Sequence, residues 1–268
     1  MSTVGSRDQH VAVWRQAFSQ SISRELQFRS QAVATIVVGL LSLVISVLPV
    51  LLLFTFTPEV KGWTAGQAIA LVGVYQVMAS LLATFITPNL TRMHSYVTRG
   101  DLDQVLIRPV SSQLYITARW FSPAELIGVG SGLVVVVVGL FEASVAPSPL
   151  DALFALAWLA IGLLLVICLW SNLAYLEFWF QAANPVADLI YDLLGAGRYP
   201  TAFFPRVAQV VLTVVVPVGV ATTVPVRALT GAFDVAWLPL GVGGLAVALV
   251  LTRLHWNAAL RKYSSASS

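Results

Sequence analysis

Residues 31–56 run for 26 positions without a charged side chain, and five more uncharged apolar runs follow, at 64–87, 126–141, 152–176, 207–226 and 235–252. An α-helix rises about 1.5 Å per residue, so about 20 residues cross a hydrocarbon core roughly 30 Å thick. Runs of this length cannot all be buried inside one water-soluble globule of 268 residues. Only 10% of the chain is charged, against about 25% in soluble domains, and the mean hydropathy is +0.85. The sequence therefore predicts an all-α polytopic membrane protein.

Spacing and capping signals refine the spans. The short third run gains a start from Ser122, Pro123 and Glu125, which read as an N-cap, a first-turn proline and the second half of a capping box. That helix is expected over about 123–143. The first run is too long for a signal-peptide core of roughly 7–15 residues, so it reads as a retained span. The net charge of +3 is scattered between apolar runs and describes topology, not a nucleic-acid surface. Arg7, Arg15, Arg24 and Arg29 precede the first span, and Arg92, Arg99, Arg108 and Arg119 lie in the 88–125 loop. Arg253, Arg261 and Lys262 close the chain, whereas 57–63 holds only Lys61 and 142–151 no basic residue. Both termini and the 88–125 loop are expected in the cytoplasm, which six spans satisfy.

Two regions need separate readings. In the leader, Val11, Trp14, Phe18, Ile22 and Leu26 recur every three or four positions, the pattern of an amphipathic helix over about 9–29 lying on the membrane surface. Around 207–226, Pro217 and Pro225 interrupt the apolar run. A proline inside a helix costs roughly 3 kcal/mol. Either 207–226 is the fifth span, or it is a re-entrant hairpin over 206–227 and the fifth span is 185–204. The second choice places Asp188, Asp192 and Arg198 in a crossing, where each charge costs roughly 2.5–3.5 kcal/mol. They would have to face protein or a wet cavity. Asp188 and Asp192, four residues apart, either attract cations into such a cavity or pair with Arg198.

Several chemistries are excluded. A phosphate-binding loop for ATP needs Gly-Lys-Ser/Thr, yet Lys61 follows Val60 and Lys262 follows Arg261. The chain is not expected to be an enzyme. The glycines at 128–132, 195–197 and 241–244 lack a strand-turn-helix setting and read as close-packing positions. His10, His94 and His255 are too dispersed for a metal site, and Cys168, the single cysteine, reads as a packed core residue. Ser131 and His255 show no third group to orient them for intramembrane proteolysis.

The stretch "TRGDLDQVLIRPV" (98–110) packs Arg99, Asp101, Asp103 and Arg108 between two apolar spans. Gly100 precedes Asp101, an expected N-cap, with Gln104 placed to reach back. Leu102, Val105 and Leu106 are expected on one apolar side, and Pro109 ends the turn. This is a short interfacial helix with charge facing the cytosol.

The segments "YVTRGDLDQVLIRPVS" (96–111) and "GRYPTAFFPRVAQVVLTVVVPVGVATTVPVRALTG" (197–231) resemble the ABC type-2 (ABC-2) exporter permease family, in its branch of uncharacterised bacterial permeases. The resemblance implies six spans at about 31–56, 64–87, 123–143, 152–176, 185–204 and 235–254, forming one half-transporter in the bacterial cytoplasmic membrane. It implies that Arg99, Gly100, Asp101, Leu102, Asp103, Leu106, Arg108 and Pro109 form a coupling helix seated on an ABC ATPase dimer. ATP and Mg would be held in that partner, and a second permease chain, identical or paralogous, would complete the pump. It also implies the re-entrant hairpin, with Pro217, Pro225 and Arg227, before the last span. Asp188, Asp192 and Arg198 then become candidates for a substrate pathway, and an apolar cavity would suit an amphipathic or drug-like cargo. A secondary transporter or channel would need ionisable groups on several spans or repeat symmetry. A non-transporting scaffold for an ATPase is the remaining rival.

Overall fold

The computed structural model describes residues 19, 21–23, 29–108, 110–180, 192–232 and 235–263. Apart from those few positions, the leader helix expected over 9–29 lies outside the described residues, as do Asp188 and Pro109.

Five helices are long and apolar enough to cross a membrane. They are α1 (Arg29–Thr55), α2 (Ala65–Phe85), α7 (Leu126–Glu142), α8 (Pro149–Tyr175) and α11 (Leu238–Lys262). Four short helices lie between α2 and α7: α3 (Thr87–Leu90), α4 (Met93–Thr98), α5 (Asp103–Leu106) and α6 (Ser112–Ala118). A further pair, α9 (Arg206–Val210) running into a π turn (Val211–Val215) and then α10 (Val218–Leu229), is bent by 98°. Counted as one span, it makes six. The fold is thus all-α and polytopic. Its one sheet among the described residues is a two-stranded hairpin, β1 (Glu59–Val60) and β2 (Trp63–Thr64). Lys61 and Gly62 make its turn with positive φ of 47° and 80°. This hairpin marks one end of the helix bundle, and the α3–α6 loop marks the other.

Close helix contact is made by small residues. In lipid no hydrophobic force drives helices together, so backbones that approach closely gain most from packing. Gly66, Gly73 and Ser80 recur every seven residues along α2 and meet Gly139, Gly132 and Gly128 of antiparallel α7. A Cβ on Gly73 would lie 2.7 Å from the Gly132 oxygen, and one on Gly132 would lie 2.8 Å from the Gly73 oxygen. Gly162 of α8 likewise abuts Ala221 of α10. The close-packing reading of the 128–132 glycines holds for Gly128 and Gly132. Gly130 has open space.

Caps form where side chain and backbone can exchange bonds. Thr64 with Gln67 and Ser148 with Asp151 make reciprocal capping boxes at the starts of α2 and α8. The box expected at Ser122 and Glu125 does not form. A single 3-10 turn (Pro123–Glu125) precedes α7, and the Ser122 N–H donates 3.0 Å to the Thr84 oxygen. A tertiary bond to α2 has replaced the local one, while the start at Pro123 stands.

Pro217 ends α9's helical continuation as its chemistry requires. Val216, before it, is pushed out of the helical region to φ −111°, ψ 87°. Pro225 does not interrupt anything: it lies buried inside α10, which continues to Leu229. Both flanks of the bent pair sit at the hairpin end. Phe203 packs with Trp63 and Val226, the Lys61 Nζ donates to the Phe203 oxygen at 3.5 Å, and Arg227 lies 5.8 Å from the Trp63 ring. The described part of 185–204 begins as α-helix at 192–195 and continues in 3-10 turns at Ala196–Arg198 and Thr201–Phe203 with an extended Tyr199 between them.

The seam makes a direct prediction. Gly132→Val should destabilise the protein by about 1–3 kcal/mol through overpacking, whereas Gly130→Ala should be neutral. Thermal unfolding of the purified protein in detergent checks both, and equal melting temperatures would remove the seam.

Candidate functional site

The loop between α2 and α7 is fixed by buried polar side chains. Asn89, fully buried, donates through Nδ2 to the Phe85 oxygen at 2.7 Å and the Trp120 oxygen at 2.8 Å. Its Oδ1 accepts from the Trp120 N–H at 2.7 Å. One amide therefore ties the end of α2 to the strand of chain entering α7. Gln113 of α6 donates to the Tyr175 hydroxyl at 3.2 Å and accepts from Arg253 at 2.9 Å. Asn172 donates to Thr252 Oγ1 at 2.7 Å, and His255 Nδ1 lies 2.8 Å from Asn172 Oδ1. His94 Nδ1 of α4 lies 3.0 Å from Oε2 of buried Glu177. The loop is thereby joined to α2, α8 and α11.

The 98–110 segment is a single helical turn, shorter than its charge pattern suggests. Gly100 adopts φ 75°, the left-handed conformation that glycine takes without penalty. Leu102 is the N-cap, with no side-chain cap bond. The capping role expected of Asp101 is thus not filled, because the turn at Gly100 sets the entry through the Asp103 N–H, 3.1 Å from the Gly100 oxygen. Leu102 and Val105 are buried in the cluster that holds Tyr96, Ile116, Trp256 and Ala259. Leu106, expected beside them, is 42% exposed and Ile107 84% exposed. Arg99, Asp101 and Arg108 are exposed as well, and Asp103 is half-buried. The segment has one face locked into the bundle and one presenting charge with apolar side chains.

The C-terminal end of α11 touches the same segment. Tyr263 packs against Phe178, ring centroids 6.0 Å apart. Burial pushes its phenol above the ordinary value, with the Asp103 and Asp101 carboxylates adding to the rise.

Beside the segment, cations and rings alternate. Arg92 and Arg119 each lie 4.7 Å from the Trp120 ring. Arg119 and Arg108 lie 5.2 Å and 5.1 Å from the Tyr115 ring. This ladder of three guanidiniums and two aromatics borders a groove of about 260 Å³.

The other candidate residues do not converge there. Arg198 sits against Tyr75, the middle residue of α2: its Nη2 donates to the Tyr75 hydroxyl at 3.3 Å and its Cζ is 5.1 Å from the ring. Its Nε is buried without a hydrogen-bond partner among the described residues. Asp192 is exposed and does not pair with Arg198. Pro217 marks the break in the bent pair, and Pro225 and Arg227 lie along α10 toward the hairpin end. Ser131 donates to the Gly128 oxygen of its own helix, while His255 is held by Asn172. Sequence reasoning missed Asn89, Gln113, Asn172 and Glu177. The signal available was polar side chains at the ends of apolar spans, where each needs a partner.

Five or six long apolar helices with an anchored, partly charged loop at one end define a polytopic integral membrane protein. The chain matches the family described as "ABC-2 family transporter protein" over residues 40–267 and belongs to it. No curated protein and no solved structure matches it.

Two outcomes follow. Asn89→Ala should destabilise the fold by about 1–3 kcal/mol, since the Trp120 N–H and carbonyl lose their buried partners; thermal unfolding in detergent measures this. Because the Tyr263 phenol is raised in the folded state, its stabilisation is complete below the ordinary tyrosine value and fades as pH climbs through the raised one. Tyr263→Phe should flatten the decline in melting temperature at alkaline pH.

Proposed function

We propose that the chain is the permease subunit of an ATP-driven exporter, with the loop end in the cytoplasm and the 98–110 segment seated on a separate ATPase subunit. The observation that carries this reading is the divided character of that segment. Leu102 and Val105 are locked into the core, while Arg99, Asp101, Leu106 and Arg108 are exposed. A partner that displaced the exposed face would move the buried one. Leu102 and Val105 share a cluster with Trp256 and Ala259 of α11, and His94 reaches Glu177 just beyond α8. Displacement would thus pass to two spans, which is how an external free-energy source biases a two-state membrane element.

The family supports a permease role, and the Lys/Arg distribution supports cytoplasmic termini in a bacterial cytoplasmic membrane. The bent pair supports the re-entrant reading, because Phe203 and Arg227 on its two flanks both reach the Trp63 end of α2. The crossing before it then runs through 185–204 and carries Arg198 at mid-depth. Asp188 and Asp192 remain the proposed cation-attracting pair of the substrate pathway. Only 17% of the apolar stretch of α1 and 6% of that of α11 is buried, which leaves these helices to lipid and to a second permease chain. ATP and Mg belong to the partner, and the cargo suited to such apolar walls is amphipathic.

Arg99→Glu combined with Leu106→Asp tests the docking. The ATPase that co-purifies with the wild-type chain should be lost, and substrate-stimulated ATP hydrolysis should fall on the order of tenfold or more. Retention of both by the folded variant would overturn the reading, as would absence of any ATPase from the wild-type preparation.

A further inference from the structure

The groove beside the 98–110 segment holds two arginines, Arg92 and Arg119, that the docking role does not use, and shares Arg108 with it. Arg92, Arg108 and Arg119 line it, against Asp101 as its one carboxylate. Among the described residues neither Arg108 nor Arg119 has a carboxylate within ion-pair distance. Their guanidinium carbons stand 5.1 and 5.2 Å from the Tyr115 ring. Arg108 Nε donates to the Gln104 oxygen at 3.3 Å, which leaves its two terminal nitrogens, and a guanidinium so placed can bind phosphate in a fork. Tyr115 and Trp120 also hold the long side chains in place, which lowers the entropy lost when an anion arrives.

Depth identifies the source of the anion. Trp120 is clamped to Asn89, four residues past the end of α2, and Ser122 is bonded to Thr84 at the start of the next span. Arg119, Trp120 and Arg92 therefore stand at the level where two membrane helices end, which is the headgroup layer. The groove offers about 260 Å³. That exceeds what one protein carboxylate fills and suits a glycerophosphate headgroup.

We propose that this groove binds the phosphate of an anionic phospholipid in the leaflet facing the loop, the inner one by the Lys/Arg count. The lipid enters headgroup first: Arg119 and Arg108 donate to its phosphate oxygens, Arg92 adds charge, and the acyl chains stay in the bilayer beside α2 and α7. The inference needs the loop's position at the span ends and does not depend on ATPase docking. A bound lipid would brace the 98–110 segment from the membrane side.

The test uses the full-length chain in nanodiscs of phosphatidylcholine and phosphatidylglycerol at about four to one, the anionic lipid supplying the leaflet charge that such sites read. Lipid retained after detergent extraction is counted by native mass spectrometry. The wild type should enrich phosphatidylglycerol, and Arg119→Gln should cut that enrichment on the order of tenfold, the worth of one charge-assisted contact. Arg119→Lys should fall between them, because it keeps the charge and loses the fork. Hydrogen exchange on the wild type covers the event that the variants do not fold: peptides over 92–96 and 104–108 should gain protection in the mixed discs relative to pure phosphatidylcholine. Equal enrichment in wild type and Arg119→Gln, or no added protection, overturns the proposal. Equivalent protection from inorganic phosphate in phosphatidylcholine discs overturns the lipid as the source. Loss of ATPase binding in Arg119→Gln with lipid retention unchanged makes the groove a protein contact and overturns it too.

Discussion

Backbone contact between α2 and α7 sets the position of everything at the loop end. Two apolar helices in lipid gain nothing from hiding from water, so their pairing depends on how closely the chains approach. Gly73 and Gly132 face each other with no room for a Cβ on either, and Ser80 with Gly128 extends the contact toward the loop. That register brings Thr84 beside Ser122 and Asn89 beside Trp120. A bulkier residue in the seam would separate those pairs and leave buried N–H and carbonyl groups unpaired, at a cost of about 1–3 kcal/mol each.

The polar network at the loop end works on the same accounting. Hydrogen bonds between membrane helices average only about 0.6 kcal/mol each, so the network is not a large reservoir of stability. Its effect is geometric. Gln113 bonds to Tyr175 and Arg253, Asn172 to Thr252 and His255, and His94 to Glu177. Each bond joins a loop residue or a span end to a different helix, so the loop has few independent motions. Trp256 then packs between Tyr175 and Phe178, with ring centroids at 5.0 and 5.9 Å. A force on the 98–110 segment meets a continuous body instead of a slack tether.

The five long apolar helices were legible in the sequence because the bilayer imposes a length and an absence of charge that no local preference overrides. Pro217 was legible for a similar reason: a missing N–H and a ring clash act wherever the residue sits. Caps were less so. Ser122 and Glu125 carry a capping pattern as clear as that of Ser148 and Asp151, yet only the second pair makes its box, because Ser122 is drawn to Thr84 on another helix. Pro225 and Leu106 failed for the same kind of reason. Their local chemistry marks a break and a buried face, while α8 packing against α10 and the single-turn length of α5 decide otherwise. The arginine ladder was visible only as four separate basic residues. Stacking on Tyr115 and Trp120 depends on where α6 returns the chain, and no residue pattern encodes that.

Arg198 and the break in the bent pair meet at the level of Tyr75, the middle of α2. The helical ladder of α9 and its π turn stops at Val216–Pro217, and α10 starts at Val218, so the negative end of one half-helix dipole and the positive end of the other lie at the same break. An arginine at this depth is expensive on its own. Gly197, which abuts Val218 and Tyr75, brings the neighbouring Arg198 to the level of that break. The Tyr75 ring and hydroxyl then cover part of the guanidinium, and its Nε is left without a bond among the described residues. Tyr75, and not the helix break, is the partner that the geometry gives this arginine.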